Sequence, residues 1–246
     1  MNIPSKTTTS AASKSAHATQ RVAIQANKLR ITSGGLIRWA GLPTMIAGFI
    51  FIGIQPIHPA DTLASVTTTA WLIIQSLKFT MCLLGLLGVT GLYARQVEAT
   101  GWLGLVGYLL FSCFYALTAP FVFAEAFILP LVATEAPKFV EGFLGIITST
   151  PADISLGALP AFFALSGAAY MLGSLLFGVA TLRAGILPRG AAVLLACSGP
   201  LAILIMRVLG HPLDRMAAAP MGIALIWLGY ALWSDRRVRI ETSWPS

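Results

Sequence analysis

The chain has 246 residues, of which 57% are hydrophobic and only 10% charged, with a formal net charge of +7 and a mean hydropathy of +0.81. Soluble domains carry about a quarter charged residues, so this composition excludes a water-soluble globular fold. It also argues against a nucleic-acid module, because the positive residues are spread between apolar stretches instead of gathering on one polar face.

Residues 1–35 form a basic tail rich in Ser, Thr and Ala, and the first acidic residue of the chain is Asp61. This composition reads as a flexible cytoplasmic tail, or as a weak amphipathic helix from about Ala16 to Arg30. A secretory signal fits poorly, since the apolar run starts far from Met1; an acid-poor, basic leader also has the character of an organelle transit peptide.

Six apolar spans follow: Leu36 to Ile57, Thr69 to Tyr93, Trp102 to Leu129, Ile154 to Leu182, Gly190 to Leu209 and Met216 to Trp233. A hydrocarbon core of about 30 Å needs roughly 20 apolar residues of helix, and each span comes close to or exceeds that length. The expected fold is therefore an all-α membrane protein, a bundle of six transmembrane helices over residues 36–233, followed by a short basic tail at 234–246.

Basic residues set the orientation, because Lys and Arg are enriched in cytoplasmic loops. Lys6, Lys14, Arg21, Lys28, Arg30, Arg38, Arg95, Arg183, Arg189, Arg236, Arg237 and Arg239 fall on one side of the spans, against Lys138, Arg207 and Arg215 on the other. Both the N- and C-termini are thus expected to be cytoplasmic, with anionic lipid headgroups on that side as a partner.

Small residues recur at helical spacing within the spans, as in Gly85, Gly88 and Gly91, then Gly101, Gly104 and Gly107, then Ser174 and Gly178. In lipid such residues let helix backbones approach closely, so these faces are read as packing seams, and as surfaces open to protein partners. Trp39, Trp71, Trp102, Trp233 and Tyr93 lie near span ends, where interfacial aromatic belts form. Cys82, Cys113 and Cys197 fall inside spans without metal-ligand spacing and read as small buried hydrophobes.

Lys78 is the one charge deep in a span, about 13 Å along its helix from Thr69. Such residues commonly face a cavity or a partner. Trp71, Gln75, Lys78 and Cys82 share its helix face. Glu125, after the kink-forming Pro120, is the expected counter-charge, within reach of a snorkelling lysine. Arg207, with Asp214 and Arg215, extends an outer polar rim that includes Glu135, Lys138, Glu141 and Asp153; most of this rim reads as solvated loop, and Asp153 as the N-cap of the fourth span.

Two copies of His-Pro-x-Asp, at His58 to Asp61 and His211 to Asp214, both follow odd-numbered spans. Two His and two Asp carry the donors for a metal or an acid–base cluster. The same letters also start helices, with Pro in the first turn and Asp complementing the helix dipole. No hydrolase, metalloprotease, phosphate-loop or dinucleotide motif occurs. No histidine falls within a span, which argues against bis-imidazole haem, and no cofactor is expected.

The segments Gly88 to Gln96, Gly101 to Tyr108, Glu125 to Pro130 and Leu182 to Arg189 resemble those of small bacterial integral membrane proteins with six helices and no assigned function. That resemblance covers about Leu36 to Leu209 and implies a bacterial cytoplasmic-membrane address, with no catalytic residue to carry over. The sequence alone favours a non-catalytic accessory or interaction subunit. One alternative is a small-solute or proton-coupled transporter using Lys78 and Glu125, with Gln75 and Arg207 on its pathway. Another is an outer-face metal-dependent membrane enzyme at His58, Asp61, His211 and Asp214.

Overall fold

The structure, a computed structural model, describes residues 32–148, 150–208 and 213–235, with side chains for all of these except 203, 204, 206, 207, 213 and 214. Among the described residues every regular element is helical. Four helical stretches are long and apolar enough to cross a membrane: Ser33–Ile57, Thr69–Val132, Leu159–Ala184 and Arg215–Ser234.

Local signals place the elements. Thr32 caps α1 (Ser33–Trp39) by accepting the Gly35 N–H at 3.0 Å. Pro43 in the first turn of α2 (Gly41–Gly53) has no N–H to offer the Trp39 carbonyl, which separates the two helices. A 3₁₀ turn at Gln55–Ile57 and a short α3 (Leu63–Val66) lead to α4 (Thr69–Phe123), capped by the Thr68 hydroxyl on the Trp71 N–H at 3.2 Å.

Straight, the 55 residues of α4 would run about 80 Å, far beyond the hydrocarbon thickness. Gln96 (φ −131°) and Gly101 (φ 55°) instead break it into two arms. The left-handed φ at Gly101 is one that a β-carbon disfavours. Tyr93 stacks on Tyr108 with ring centroids 4.5 Å apart, and Phe79 meets Phe123 at 5.7 Å. These pairs are centred near residue 100, so the arms run antiparallel as a hairpin.

The returning arm passes into a π turn (Ala124–Ile128) and α5 (Leu129–Val132), followed by α6 (Pro137–Thr148), α7 (Leu159–Ala184) and α8 (Arg189–Val208). Gly185 (φ 64°) ends α7 in the left-handed conformation, and Pro188 prevents its continuation. A 3₁₀ turn (Leu213–Ala218) and α9 (Ala219–Ser234) complete the order.

α2, the two arms of α4, α7, α8 and α9 form a closed ring, and small residues set each contact. A β-carbon built on Gly88 would lie 2.5 Å from the Thr44 hydroxyl, one on Gly173 2.5 Å from the Phe111 nitrogen, and one on Gly199 2.8 Å from the Ser174 hydroxyl. Gly190 meets the Trp227 ring in the same way at 2.7 Å. The ring closes where α2 crosses α9: a β-carbon built on Gly41 would lie 2.5 Å from the Gly229 carbonyl oxygen, and one on Gly48 2.6 Å from that of Gly222. Both glycine pairs are spaced two helical turns apart, so the backbones pack without intervening side chains. Phe111, Tyr115, Phe177, Leu195, Met221, Leu225 and Leu228 fill the interior.

Several expectations need correction. Residues 137–148 are not a solvated loop: α6 buries Val140, Phe143 and Leu144 against Trp71, Phe121 and Leu129, while Lys138 and Glu141 stay exposed. The cluster's apolar residues sit three and four apart, a helical period. Asp153 does not cap α7, whose N-cap is Ala158 with Pro160 in the first turn. Gly101 is a bend residue with open space around it, not a packing contact. Cys82 is buried, but Cys197 is exposed. Trp39 and Trp102 are exposed as belt residues should be, whereas Trp71 is completely buried.

Candidate functional site

The first arm of α4 carries Trp71, Gln75, Lys78 and Cys82 along one face, and the returning arm brings Glu125 against it. Lys78 Nζ donates to Glu125 Oε2 at 3.2 Å. The two partners differ sharply in environment, the lysine side chain being 21% exposed and the glutamate 1%.

The backbone irregularity at Glu125 has a sequence cause. In the π turn the Leu129 N–H reaches back to the Ala124 carbonyl, so the next bond in that pattern would run from residue 130 to the Glu125 carbonyl. Pro130 has no N–H. The Trp71 indole supplies the missing donor, with Nε1 at 2.8 Å from the Glu125 backbone oxygen. Pro120 lies within α4 without disturbing its dihedral angles, so the kink expected there does not occur, and the Glu125 carbonyl is left free by Pro130.

Gln75 lies between Trp71 and Lys78 on the same face and is fully buried. Neither its Nε2 nor its Oε1 has a hydrogen-bond partner among the described residues, and the same holds for Glu125 Oε1. Three unpaired polar atoms thus stand on the face and carboxylate that the Lys78 bond joins.

Beyond this pair, the segment after α2 folds over the end of the hairpin. His58 Nδ1 donates to the Pro59 carbonyl at 2.7 Å, and its ring stands edge-on to Trp71 with centroids 6.1 Å apart. Arg215 Nη2 donates to Asp61 Oδ2 at 3.1 Å and to the Pro59 carbonyl at 3.3 Å. Burial, followed by the nearby Lys78 ammonium, pushes the His58 pKa down from 6.5 to about 4, so the ring is neutral at physiological pH. Asp61, Thr62, Glu141, Leu144 and Thr148 line a cavity of about 250 Å³ beside this strap.

Of the residues singled out from sequence, Lys78, Glu125 and Gln75 come together, with His58 one ring contact away through Trp71. The side chains of Arg207 and Asp214, and all of His211, lie outside the described residues. The described half of the His-Pro-x-Asp constellation is engaged otherwise, His58 by Pro59 and Asp61 by Arg215. Nor does Pro59 start a helix: α3 begins at Leu63, and Thr62 is its N-cap. No three His, Cys, Asp or Glu side chains among the described residues stand together as metal ligands. Sequence reasoning placed Arg215 only on a general rim and Trp71 only at a membrane interface; the signal for Trp71 was its place on the Gln75–Lys78 face.

The opposite end of the bundle is polar as well. Arg38 Nε donates to the Trp233 carbonyl at 2.7 Å with its guanidinium 5.0 Å from that indole, and Arg95 pairs with Asp235 at 2.8 Å. Gln96, in the hairpin bend, donates to the Thr181 hydroxyl at 2.8 Å. It also lines a cavity of about 360 Å³ with Ser33, Arg95, Glu98 and Ile186.

No protein-family model matches this chain, and no curated protein and no solved structure matches it.

Proposed function

We propose that the chain is a multi-pass protein of the bacterial cytoplasmic membrane, with six crossings and both termini in the cytoplasm, and that it moves a small solute or protons through the Lys78–Glu125 site. The observation that carries this reading is Glu125 itself: a carboxylate with 1% exposure, one oxygen on Lys78 and the other unpaired, with the fully buried Gln75 one turn before Lys78 on the facing arm. Ionisable groups buried inside a membrane protein are costly, and they commonly mark ion or substrate pathways.

The two arms of α4 supply two crossings where hydropathy alone counts one long apolar segment, and α8 supplies another. The orientation rests on the lopsided basic residues, and it is supported by the meeting of Trp39 and Trp233, near the two ends of the described chain, with ring centroids 4.7 Å apart. Arg38 and Arg95 sit at that same end, where anionic headgroups would meet them.

The accessory-subunit reading drew on small-residue faces left for partner helices. Gly85, Gly88, Gly91, Gly107 and Gly178 are instead filled within the chain by Tyr115, Thr44, Ala40, Phe177 and Ala196. The transport reading is tested by charge displacement on solid-supported membranes carrying the purified full chain. Jumps in pH, and jumps at constant pH in amino acids, sugars and inorganic ions, are expected to give a current in at least one case that is lost in Glu125→Gln. A wild-type protein silent in every jump overturns it.

A further inference from the structure

We infer that the species moved is the proton, carried along the α4 hairpin by a ladder of buried polar side chains from Glu125 and Gln75 through Tyr115 and Ser112 to Gln96. This rests on the transport reading above and names its substrate. Among the described residues, six buried side-chain nitrogen and oxygen atoms lack a hydrogen-bond partner: both of Gln75, and one each of Gln96, Ser112, Tyr115 and Glu125. All lie on α4 or the π turn that continues it; the described side chains of α2, α7, α8 and α9 contribute none.

An unpaired polar group is costly in hydrocarbon, so six confined to one hairpin call for a use. In native proteins such atoms are held by ordered water or serve function. Their positions are also graded along the helix. Gln96 is in the bend, Ser112 lies about 16 Å up the returning arm from Gly101, Tyr115 one turn further, and Glu125 about 36 Å up, opposite Gln75. The ladder therefore covers the thickness of a hydrocarbon core, about 30 Å.

Both ends approach water. Gln96 itself lines the 360 Å³ cavity of the bend. At the other end Lys78, bonded to Glu125, keeps 21% of its side chain exposed. Between these ends the members are sealed, Gln75 and Tyr115 at 0% exposure and Glu125 at 1%. Such sealing leaves no passage for a solute and favours protons, passed between hydroxyls, a carboxyl group and chains of ordered water.

The step balances simply. A proton from outer water adds to Glu125 Oε1, taking the Lys78–Glu125 pair from net zero to one positive charge. Its departure through Tyr115 and Ser112 towards Gln96 restores the starting state. Tyr and Ser hydroxyls both donate and accept, and the two amides order intervening water.

The test uses the full chain in phosphatidylethanolamine–phosphatidylglycerol vesicles that enclose a pH-sensitive dye, with a valinomycin-clamped potassium gradient and no added solute. Wild-type vesicles are expected to acidify internally several-fold faster than empty ones. Glu125→Gln should return the rate to that of empty vesicles. Tyr115→Phe and Ser112→Ala, which delete one oxygen each and keep the packing, should slow it several-fold. Thr90→Val, an exposed hydroxyl on the same hairpin, should leave it unchanged. Proton flux indifferent to Tyr115→Phe and Ser112→Ala would overturn the ladder. No proton flux, together with a solute-jump current that Glu125→Gln abolishes, would overturn the proton but keep the transport reading. Silence in both assays would remove both.

Discussion

The two ends of the α4 hairpin each hold an ion pair, and the pairs are built to opposite standards. At the bend, Arg95 and Asp235 meet at 2.8 Å with 21% and 17% of their side chains exposed. At the open end, Lys78 and Glu125 meet at 3.2 Å with the carboxylate 1% exposed and half its oxygens unpaired. A pair that water reaches is a fastening of low cost, whereas a buried and incompletely satisfied one is retained against a desolvation penalty. The difference separates the end that holds the bundle together from the end where chemistry is to be sought.

Removing one partner from each pair sharpens the contrast. Lys78→Met leaves the Glu125 charge buried and alone, and a loss of about 3–5 kcal/mol in unfolding free energy is expected, read by denaturant titration in detergent. The double variant Lys78→Met with Glu125→Leu should recover most of that loss, since the buried charge is gone. A Lys78→Met variant as stable as the parent would erase the distinction.

Acid should weaken the open end before the bend. The folded His58 pKa, about 4, is depressed below its ordinary 6.5, so the unfolded chain binds more protons between those values. Stability from the neutral ring is then fully present above pH 6.5 and lost as pH falls towards 4. Lys78 and Arg215 oppose the added charge, and the Pro59 carbonyl and Asp61 favour it. Hydrogen-exchange protection factors at residues 58–66, corrected for the intrinsic pH dependence of exchange, should fall across that window, and His58→Gln should flatten the response while protection near Trp233 stays constant.

The smallest effect is expected at the bend. Arg95→Ala should cost no more than about 1 kcal/mol, as partly exposed pairs do, and should leave vesicle proton flux unchanged. A larger loss, by the same denaturant titration, would show that the bend pair carries weight comparable to its buried counterpart.

Much of this was legible along the chain. The start of the second span at Thr69 follows from a hydroxyl cap before an apolar run, and the end of α7 from Gly185 followed by Pro188. The Lys78–Glu125 pairing was also within reach, because one deep cation needs an anion and one acidic residue stood nearby. The covering helix α6 was not, since its charged residues, Lys138 and Glu141, with Glu135 just before it, read as a rim until the apolar face of the helix finds Trp71 and Phe121 to pack on. The role of Arg215 was hidden for a related reason: its partner Asp61 lies 154 residues away.

By itself, the sequence determined the helical membrane character and the charge asymmetry of this protein, because hydropathy, helix caps and basic-residue counts are properties of short segments. Only the tertiary structure decided that Trp71 turns inward to the carbonyl that Pro130 leaves free, that the named glycines are spent on internal contacts, and that the unpaired polar atoms gather on one hairpin. Those outcomes depend on which helix faces meet, and helices far apart in sequence choose their faces by close packing of small residues, which no local pattern records.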